Sequence, residues 1–379
     1  MAKRSMDKSS RKRRRFLKTT GSFAVASTVA GCLGGSGGNG ATTKSKNLKT
    51  FQNKAGQTVG ATFEAVKQLA RNEEEAIVYA TIDRSAFNKW VQAFNKQYPY
   101  AEINNVTGGS EKLISRWTTE YETNNVKANI FISTSNIKRT WQNGQTMKLK
   151  SDYMPSFGDA PDKFKSDQNL WIAVRQVLGG FFYNTTQVSE SDAGSWMDVV
   201  TNSEWQGQKI GWDPTPNRFL ISWLFENVGT EFFKALHDMK PRWVDSHTQL
   251  ARLCGAGEFP VAFTYIHKMG RFGKKLPLNY FKFDPMPSVV SPAVISNKAP
   301  QPNTALLFLN WLTSKEGQQL MGKTQYIPWH PKAEYTAYEG VYPSSEYDVD
   351  VISPAINIER SMKKWDKYLG DLLAPGDTN

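Results

Sequence analysis

The stretch that determines the fold reads Ala76-Ile-Val-Tyr-Ala-Thr-Ile82, a continuous apolar run of strand length. Such a run is typical of a strand buried on both faces, as in a parallel sheet. After the polar segment Asp83-Arg-Ser85, apolar side chains follow at the i, i+3, i+4 and i+7 positions of a helix: Phe87, Trp90, Val91 and Phe94. The stretch therefore predicts a buried strand followed directly by an amphipathic helix.

The same alternation continues along the chain. Residues 101–106 and 128–132 have strand patterns, and a helical pattern around Leu113 and Trp117 separates them. Three further strand patterns and one extended segment follow, at residues 171–183, 209–212, 258–264 and 281–295. Strands that alternate with helices predict an α/β fold with a mostly parallel sheet, in which ligands bind beyond the carboxyl ends of the strands.

Hydroxyls, glycines and charged groups follow the first three strands. They are Thr81, Asp83 and Arg84 after the first strand, Thr107, Gly108, Gly109 and Ser110 after the second, and Ser133, Thr134 and Ser135 after the third. A Gly-Gly-Ser sequence that opens a helix exposes backbone N–H groups at the positive end of the helix dipole, which suits an anion or a polar head group. The same residue types are also common as N-caps and turn residues, so both interpretations stay open.

Composition and charge describe a globular protein without a basic surface for nucleic acid. The chain has 379 residues, of which 39% are hydrophobic and 12% aromatic. This is enough for two domains and unlike a disordered, collagen-like or disulfide-rich chain. Residues 1–31 carry +8 of the net charge of +12, so the rest carries only +4. We therefore expect no nucleic-acid partner.

The basic N-terminus resembles a targeting signal. Arg13-Arg-Arg-Phe-Leu-Lys18 resembles the twin-arginine export motif, and Val29-Ala-Gly-Cys32 resembles the lipobox of prokaryotic lipoproteins. The apolar stretch between them is too short to span a bilayer. We expect residues 1–31 to be a signal peptide, Cys32 to be lipidated, and residues 32–61, which start with a Gly-rich run, to be a flexible tether.

The usual motifs of catalysis and metal binding are missing from the sequence. The four histidines are spread along the chain without an H-E-x-x-H pair, and the two cysteines, Cys32 and Cys254, stand far apart. Residues distant in sequence can still converge in space, but no local spacing favours a triad or a carboxylate pair. Local spacing therefore supports no catalytic, cofactor or metal site, and we expect none.

Seven short motifs occur in order between residues 77 and 320. They are Ile77-Val-Tyr-Ala-Thr-Ile-Asp83, Phe94-Asn-Lys-Gln-Tyr-Pro99, Thr107-Gly-Gly-Ser110, Asn129-Ile-Phe-Ile-Ser-Thr-Ser135, Tyr183-Asn-Thr185, Trp205-Gln-Gly-Gln-Lys-Ile-Gly-Trp-Asp-Pro214 and Phe308-Leu-Asn-Trp-Leu-Thr-Ser-Lys-Glu-Gly-Gln-Gln-Leu320. In this order they resemble the extracellular solute-binding proteins of ABC importers, in particular the branch that takes up ferric iron, polyamines and thiamine.

The resemblance implies a type II periplasmic-binding-protein fold, in which hinge strands join two α/β lobes around a ligand cleft. The first lobe would comprise residues 62–177 and 290–379, and the second residues 178–289. The lobes would close on a small-molecule solute by hinge motion and then dock on a membrane permease. The protein would be a monomer, exported by the twin-arginine route and anchored to the outer face of the cytoplasmic membrane.

The resemblance also extends the candidate site to the second lobe. The ligand loops of the family fall on the strand ends named above and on Thr215, Arg218 and Tyr265. Arg218 suits a carboxylate or phosphate because of its planar fork, and Trp212 could stack on a ring of the solute. Ferric-binding relatives carry paired tyrosines where this chain has only Tyr265, so a small polar or anionic solute is preferred to iron. Three alternatives stay open: a ferric-iron binder, a surface sensor and a secreted enzyme on the same fold.

Helix signals near the C-terminus complete the prediction. Asn303 is expected to cap one helix, and Thr313 with Glu316 to form a capping box for the next. Residues 357–373 have the pattern of an amphipathic helix, which we expect to fold back on the first lobe.

Overall fold

The computed structural model describes residues 48–213, 218–268, 272, 275–324, 326–334, 349–354, 356 and 358–373. The predicted signal peptide, Cys32 and Thr215 lie outside these residues. Within the described ranges, no helix has both the length and the apolar character needed to cross a membrane.

The first part of the chain is a short hairpin followed by three parallel strands. The hairpin pairs β1 (Thr50–Gln52) with β2 (Thr58–Gly60). The strand β3 (Ala76–Ala80) lies between β4 (Ile103–Thr107) and β5 (Ala128–Ile132) and is parallel to both, which confirms the predicted parallel unit. The helices of this part are α1 (Phe63–Leu69), α2 (Arg84–Gln97), α3 (Ser110–Glu122), α4 (Lys138–Gln142) and α5 (Pro155–Asp159).

Among the described residues, the second part adds seven strands and seven helices with defined bounds. The strands are β6 (Ile172–Asn184), β7 (Ile210–Trp212), β8 (Arg242–Trp243), β9 (Val261–Tyr265), β10 (Leu278–Tyr280), β11 (Met286–Ile295) and β12 (Val349–Ile352). The helices are α6 (Trp196–Thr201), α7 (Arg218–Asn227), α8 (Thr230–Asp238), α9 (His247–Gly255), α10 (Pro302–Thr313), α11 (Lys315–Lys323) and α12 (Glu359–Leu373).

Ten of the strands form one mixed sheet with the order β4-β3-β5-β11-β6-β9-β7-β8, to which β10 and β12 add at β6 and β11. β6 and β11 are buried along their whole length and run antiparallel to each other at the centre of the sheet. A strand buried on both faces needs a nearly continuous apolar sequence, which β6 has except at Arg175 and Gln176.

Two hydrophobic cores lie on the two halves of this sheet. The first core contains side chains of β3, β5, α2, α3 and α10, and the second core contains side chains of β7, β9, α7, α8 and α9. Along β6 the first core ends at Val174 and the second begins at Leu178. Along β11 the second core ends at Val289 and the first begins at Val290. Both central strands therefore contribute to both cores.

The hairpin corrects the prediction that residues 32–61 form a flexible tether. Val59 is fully buried in the first core. Asn303, which was predicted to cap a helix, lies inside α10, where its side chain accepts a bond from the backbone N–H of Gly60 and donates one to the carbonyl of Thr58, both at 2.8 Å. The sequence from residue 50 to residue 60 is thus bonded to the body of the protein, because polar hairpin residues find partners in a distant helix.

A distant carboxylate occupies the N-terminus of α10. The N-cap residue Gln301 makes no side-chain bond there. Glu73 instead accepts bonds from the backbone N–H groups of Asn303 at 3.0 Å and Thr304 at 2.7 Å, as the positive end of the helix dipole favours. Burial raises the pKa of Glu73 above its usual value.

The capping box predicted at Thr313 and Glu316 is wrong by one residue. Thr313 is the last residue of α10, and its hydroxyl donates to the carbonyl of Leu309 at 2.7 Å. The N-cap of α11 is Ser314, whose Oγ accepts from the backbone N–H of Gly317 at 3.4 Å. Two adjacent hydroxyl residues make this choice ambiguous in sequence.

The C-terminal helix packs on the second core, which corrects the prediction that it returns to the first lobe. Trp365 is buried in the second core. Its ring centroid lies 6.3 Å from that of Trp212, 6.0 Å from Phe233 and 6.5 Å from Trp243. The amphipathic pattern predicted the helix but could not indicate which of two apolar surfaces it covers.

Candidate functional site

A cavity of about 220 Å³ opens where the two halves of the sheet meet. The ends of β3 and β5 and the start of α3 supply one wall, and α9 and the end of β9 supply the opposite wall. β6 passes beneath it. The lining residues are Thr81, Asp83, Ser110, Ser133, Thr134, Ser135, Arg175, Val177, His247, Tyr265, His267, Lys268 and Tyr326. The cavity is thus lined by residues from both halves of the sheet.

Seven of the predicted site residues line this cavity. They are Thr81, Asp83, Ser110, Ser133, Thr134, Ser135 and Tyr265. Parallel strands bring their carboxyl ends to one edge of a sheet, and for this reason residues more than 50 positions apart in the sequence come together. Tyr265 reaches the same place from the other side because β9 runs antiparallel to β6.

Three serines of the first wall are bonded to one another. The hydroxyl of Ser110 lies 3.0 Å from that of Ser133 and donates to the carbonyl of Ser135 at 2.6 Å. The hydroxyl of Ser133 donates to the same carbonyl at 2.7 Å and accepts the backbone N–H of Ser135 at 3.2 Å. The hydroxyl hydrogens of Ser110 and Ser133 are therefore largely committed to the carbonyl of Ser135, which ties the start of α3 to the segment after β5.

Other predicted residues lie beside the cavity and do not line it. Gly108, Gly109 and Arg84 are exposed, and the Nε of Arg84 donates to Thr107 at 3.4 Å. Arg218 is the exposed first residue of α7 and is likewise outside the lining. Thr215 lies outside the described residues.

Trp212 cannot stack on a solute in this arrangement. Its side chain is fully buried in the second core, and its ring is parallel to that of Phe263 at a centroid distance of 4.2 Å. A short strand with one tryptophan does not reveal which face is buried, so the sequence left this residue available for a ligand.

Arg175, which the sequence interpretation missed, lies in the central strand β6 with only 4% of its surface exposed. Its Nε donates to the hydroxyl of Ser291 at 3.0 Å, and that hydroxyl lies 2.9 Å from Thr134. The guanidinium carbon lies 4.0 Å from the ring centroid of Tyr326, a cation–π geometry. The polar pair Arg175-Gln176 inside a mostly apolar strand of 13 residues is the sequence signal that could have identified it.

Tyr326 links this arginine to Asp83 on the first wall. Its hydroxyl donates to Asp83 Oδ2 at 2.9 Å and accepts the backbone N–H of Asp83 at 3.3 Å. Asp83 Oδ2 also lies 3.7 Å from the Nζ of Lys268. Burial raises the pKa of Tyr326, so the phenol stays protonated near neutral pH. Residues 83 and 268 come from opposite walls, so this ion pair crosses the cavity.

Aromatic rings cover the remaining side of the cavity. The ring centroid of Tyr265 lies 4.1 Å from that of His247 and 5.6 Å from that of His267, and His267 lies 5.0 Å from Tyr326. Burial lowers the pKa of His247 to about 4, against the opposing effect of Asp213, whose carboxylate lies 3.3 Å away. Burial also lowers the pKa of His267 well below its usual value, and nearby cations add to this effect. Both rings are therefore neutral at pH 7.

The charges at the cavity favour an anion. Arg175 and Lys268 contribute two positive charges, Asp83 contributes one negative charge, and the histidines contribute none. Among the described residues, no group of three or more His, Cys, Asp or Glu side chains is arranged to hold a metal ion.

The sequence matches the family model described as bacterial extracellular solute-binding protein over residues 80–319, more than half of the chain. A search of the curated proteins found no match.

Three solved structures illustrate the fold that the chain shares. Iron-bound HitA from Pseudomonas aeruginosa superposes with a TM-score of 0.67 at 17% identity, with 79% of this chain and 99% of that chain covered. FutA (IdiA) from Trichodesmium in complex with iron and citrate superposes with a TM-score of 0.62 at 18% identity, with 79% of this chain and 99% of that chain covered. AfuA from Actinobacillus pleuropneumoniae with fructose-6-phosphate superposes with a TM-score of 0.63 at 19% identity, again with 79% of this chain and 99% of that chain covered. These likenesses show the two-lobed α/β fold of periplasmic binding proteins, as predicted.

Proposed function

Because the chain belongs to the bacterial extracellular solute-binding proteins, we propose that it captures a small anionic solute in the cavity and delivers it to the membrane permease of an ABC importer. The observation that carries this proposal is the buried guanidinium of Arg175 in the cavity lining, with Lys268 as a second cation. A buried cation with unused N–H groups is strongly stabilised by an anion. The site performs no reaction on the solute, and neither a sensor nor an enzyme role is needed to explain it.

The proposed lobes follow the two cores. The first lobe comprises the hairpin, residues 62–177 and residues 290–334, and the second comprises residues 178–289 with the C-terminal helix. β6 and β11 would act as the hinge because each is shared by both cores. A solute that contacts both cavity walls would favour the closed arrangement, in which the ion pair between Asp83 and Lys268 already joins the walls.

The N-terminal sequence supplies the proposed route and location. Arg13-Arg-Arg-Phe-Leu-Lys18 would direct export by the twin-arginine pathway, and lipidation of Cys32 would anchor a monomeric protein to the outer face of the cytoplasmic membrane. A shortened tether, residues 33–47, would hold the body away from the membrane surface.

A ferric complex is the second candidate solute. Tyr326 lines the cavity together with Tyr265, so two phenols are present where the sequence indicated one. HitA and FutA contain iron in their solved structures, and FutA contains citrate beside it. The cations at the site would repel free Fe³⁺, so an anionic chelate such as ferric citrate is the form that this candidate predicts.

The experiment that tests the proposal is thermal unfolding of the purified protein, after denaturation and refolding to remove any carried ligand. The additions are inorganic phosphate, fructose 6-phosphate, citrate and ferric citrate, with putrescine and thiamine as cationic comparisons. A ligand present at 100 times its Kd adds about 2.7 kcal/mol to the free energy of unfolding. A rise in the thermal midpoint with an anion, and with neither putrescine nor thiamine, supports the proposal. A rise in the midpoint with ferric citrate but not with citrate supports the second candidate, and a rise only with putrescine or thiamine contradicts both.

A further inference from the structure

Two buried nitrogen atoms at the cavity have no hydrogen-bond partner among the described residues: Nη1 of Arg175 and Nδ1 of His267. Both side chains are only 4% exposed, and both belong to the cavity lining. Leaving a buried polar atom unpaired is costly, and more so when the group is charged. Two of them at one cavity indicate that a ligand supplies the partners.

The geometry around Arg175 restricts what that ligand can be. A guanidinium only donates hydrogen bonds, and Ser291 already takes the bond from Nε while Tyr326 covers one face. The Nη edge remains, and its partner must be an acceptor. Planar N–H pairs suit the paired oxygens of a carboxylate or a phosphate.

His267 and Arg175 both lie against the ring of Tyr326. The ring centroid of His267 is 5.0 Å from that of Tyr326, whose ring the guanidinium also contacts, and 5.6 Å from that of Tyr265. Arg175 and Lys268 help to hold the ring neutral. A neutral imidazole has one N–H, which can donate from Nδ1.

The first wall offers fewer donors than its sequence suggests. The hydroxyls of Ser110 and Ser133 both donate to the carbonyl of Ser135, so they are largely used in bonds between the start of α3 and the segment after β5. The strongest unused donors of the cavity are therefore on the side of β6 and β9, away from the Gly-Gly-Ser loop.

We infer that the solute carries an oxyanion head group, and that Arg175 and His267 bind this group together at the end of the cavity beside Tyr326. The inference rests on the proposed function and specifies its ligand: a phosphorylated or carboxylated small molecule whose charged end faces the central strand. The rest of the solute then extends toward Asp83 and Lys268, where a hydroxyl or amine can meet the carboxylate.

Titration calorimetry with inorganic phosphate, fructose 6-phosphate and citrate tests the inference. The variants are Arg175→Gln, His267→Phe, which keeps a ring without the donor, and His267→Asn, which keeps a donor at the position of Nδ1. We expect Arg175→Gln to weaken binding of the best anion by about 30-fold or more and His267→Phe by about 10-fold, as the loss of charge-assisted bonds implies. His267→Asn should stay within about threefold of the wild type.

Matched controls are available outside the cavity. Arg71→Gln removes an arginine with the same cation–π distance, 4.0 Å to the ring of Tyr100, and His330→Gln removes another largely buried histidine. Both should bind the anion as the wild type does. Should Arg175→Gln fail to fold, the comparison of His267→Phe with His267→Asn still decides. Equal affinities for these two would overturn the inference while leaving the proposed function intact. Failure of the wild type to bind any of the three anions would overturn both.

Discussion

Asn303→Ala should detach the N-terminal hairpin from the first core. The side chain of Asn303 is 1% exposed and makes three bonds: it accepts from the N–H of Gly60 and donates to the carbonyl of Thr58 and to Oε1 of Glu73 at 2.6 Å. The change removes all three bonds and leaves a buried N–H without a partner.

The size of the effect follows from where each group lies. Thr58 is exposed, so water can replace the lost bond to its carbonyl. Gly60 is buried, and an unpaired N–H there costs about 1–3 kcal/mol. Glu73 keeps its two bonds from backbone N–H groups but loses one donor. Together these losses should lower the free energy of unfolding by about 3 kcal/mol.

Urea unfolding followed by tryptophan fluorescence measures this change, and limited proteolysis should show faster cleavage between residues 50 and 60. Asn143→Ala is the control, because Asn143 is exposed and makes no side-chain bond to the described residues. It should stay within about 0.5 kcal/mol of the wild type. If Asn303→Ala also stays within that range, the hairpin is not held by these bonds and the reasoning fails.

Three further predictions concern other parts of the molecule. Gly317→Ala places a Cβ 2.3 Å from the backbone carbonyl oxygen of Trp311, so the thermal midpoint should fall by several degrees, and an unchanged midpoint would contradict the packing described. Tyr326→Phe removes a hydroxyl bonded twice to Asp83 but keeps the ring on the guanidinium, and should lower the free energy of unfolding in urea by about 1–2 kcal/mol. Adding Asp83→Ala to this variant should then cost less than Asp83→Ala costs in the wild type, and equal costs would contradict the coupling. Burial raises the pKa of Glu73 above its usual 4.5, so the stability linked to its protonation is fully present below pH 4.5 and is lost as the pH rises through the higher folded pKa. The free energy of unfolding of the wild type minus that of Glu73→Gln, measured at several pH values, should therefore fall over that interval. A difference that rises with pH would refute the assignment.

The sequence predicted most of the fold because its strong patterns are local. The run from Ala76 to Ile82 and the helical spacing after it require only the residues that they contain. Parallel strands then bring their ends together, and this rule placed Thr81, Asp83 and the serines at the cavity. The role of Asn303 was predicted wrongly because its deciding partner is distant in sequence: it bonds to a hairpin 243 residues away. The capping box was misplaced for a local reason, because Thr313 and Ser314 are both hydroxyl residues.

The missed site residues have a common physical reason. Arg175, His267 and Tyr326 are buried, and their neighbours in the sequence do not reveal that these three side chains line one cavity. A charged residue in a fully buried strand is unfavourable unless something pairs with it. Such an interruption of an apolar run is therefore an indicator of a ligand site in addition to the hydroxyl residues at the strand ends, five of which line the cavity, whereas Gly108 and Gly109 are exposed.

The position of α12 sets the order in which the protein can be completed during synthesis. Residues 178–289 form one continuous segment that leaves and re-enters the first core on neighbouring strands. That segment cannot close its own core, because Trp365 and Leu369 complete it from the far end of the described chain. The second core is thus complete only once residue 369 has left the ribosome, although most of its other side chains emerge about 80 or more residues earlier. Until then the second core lacks the ring contacts that Trp365 makes with Trp212 and Phe233.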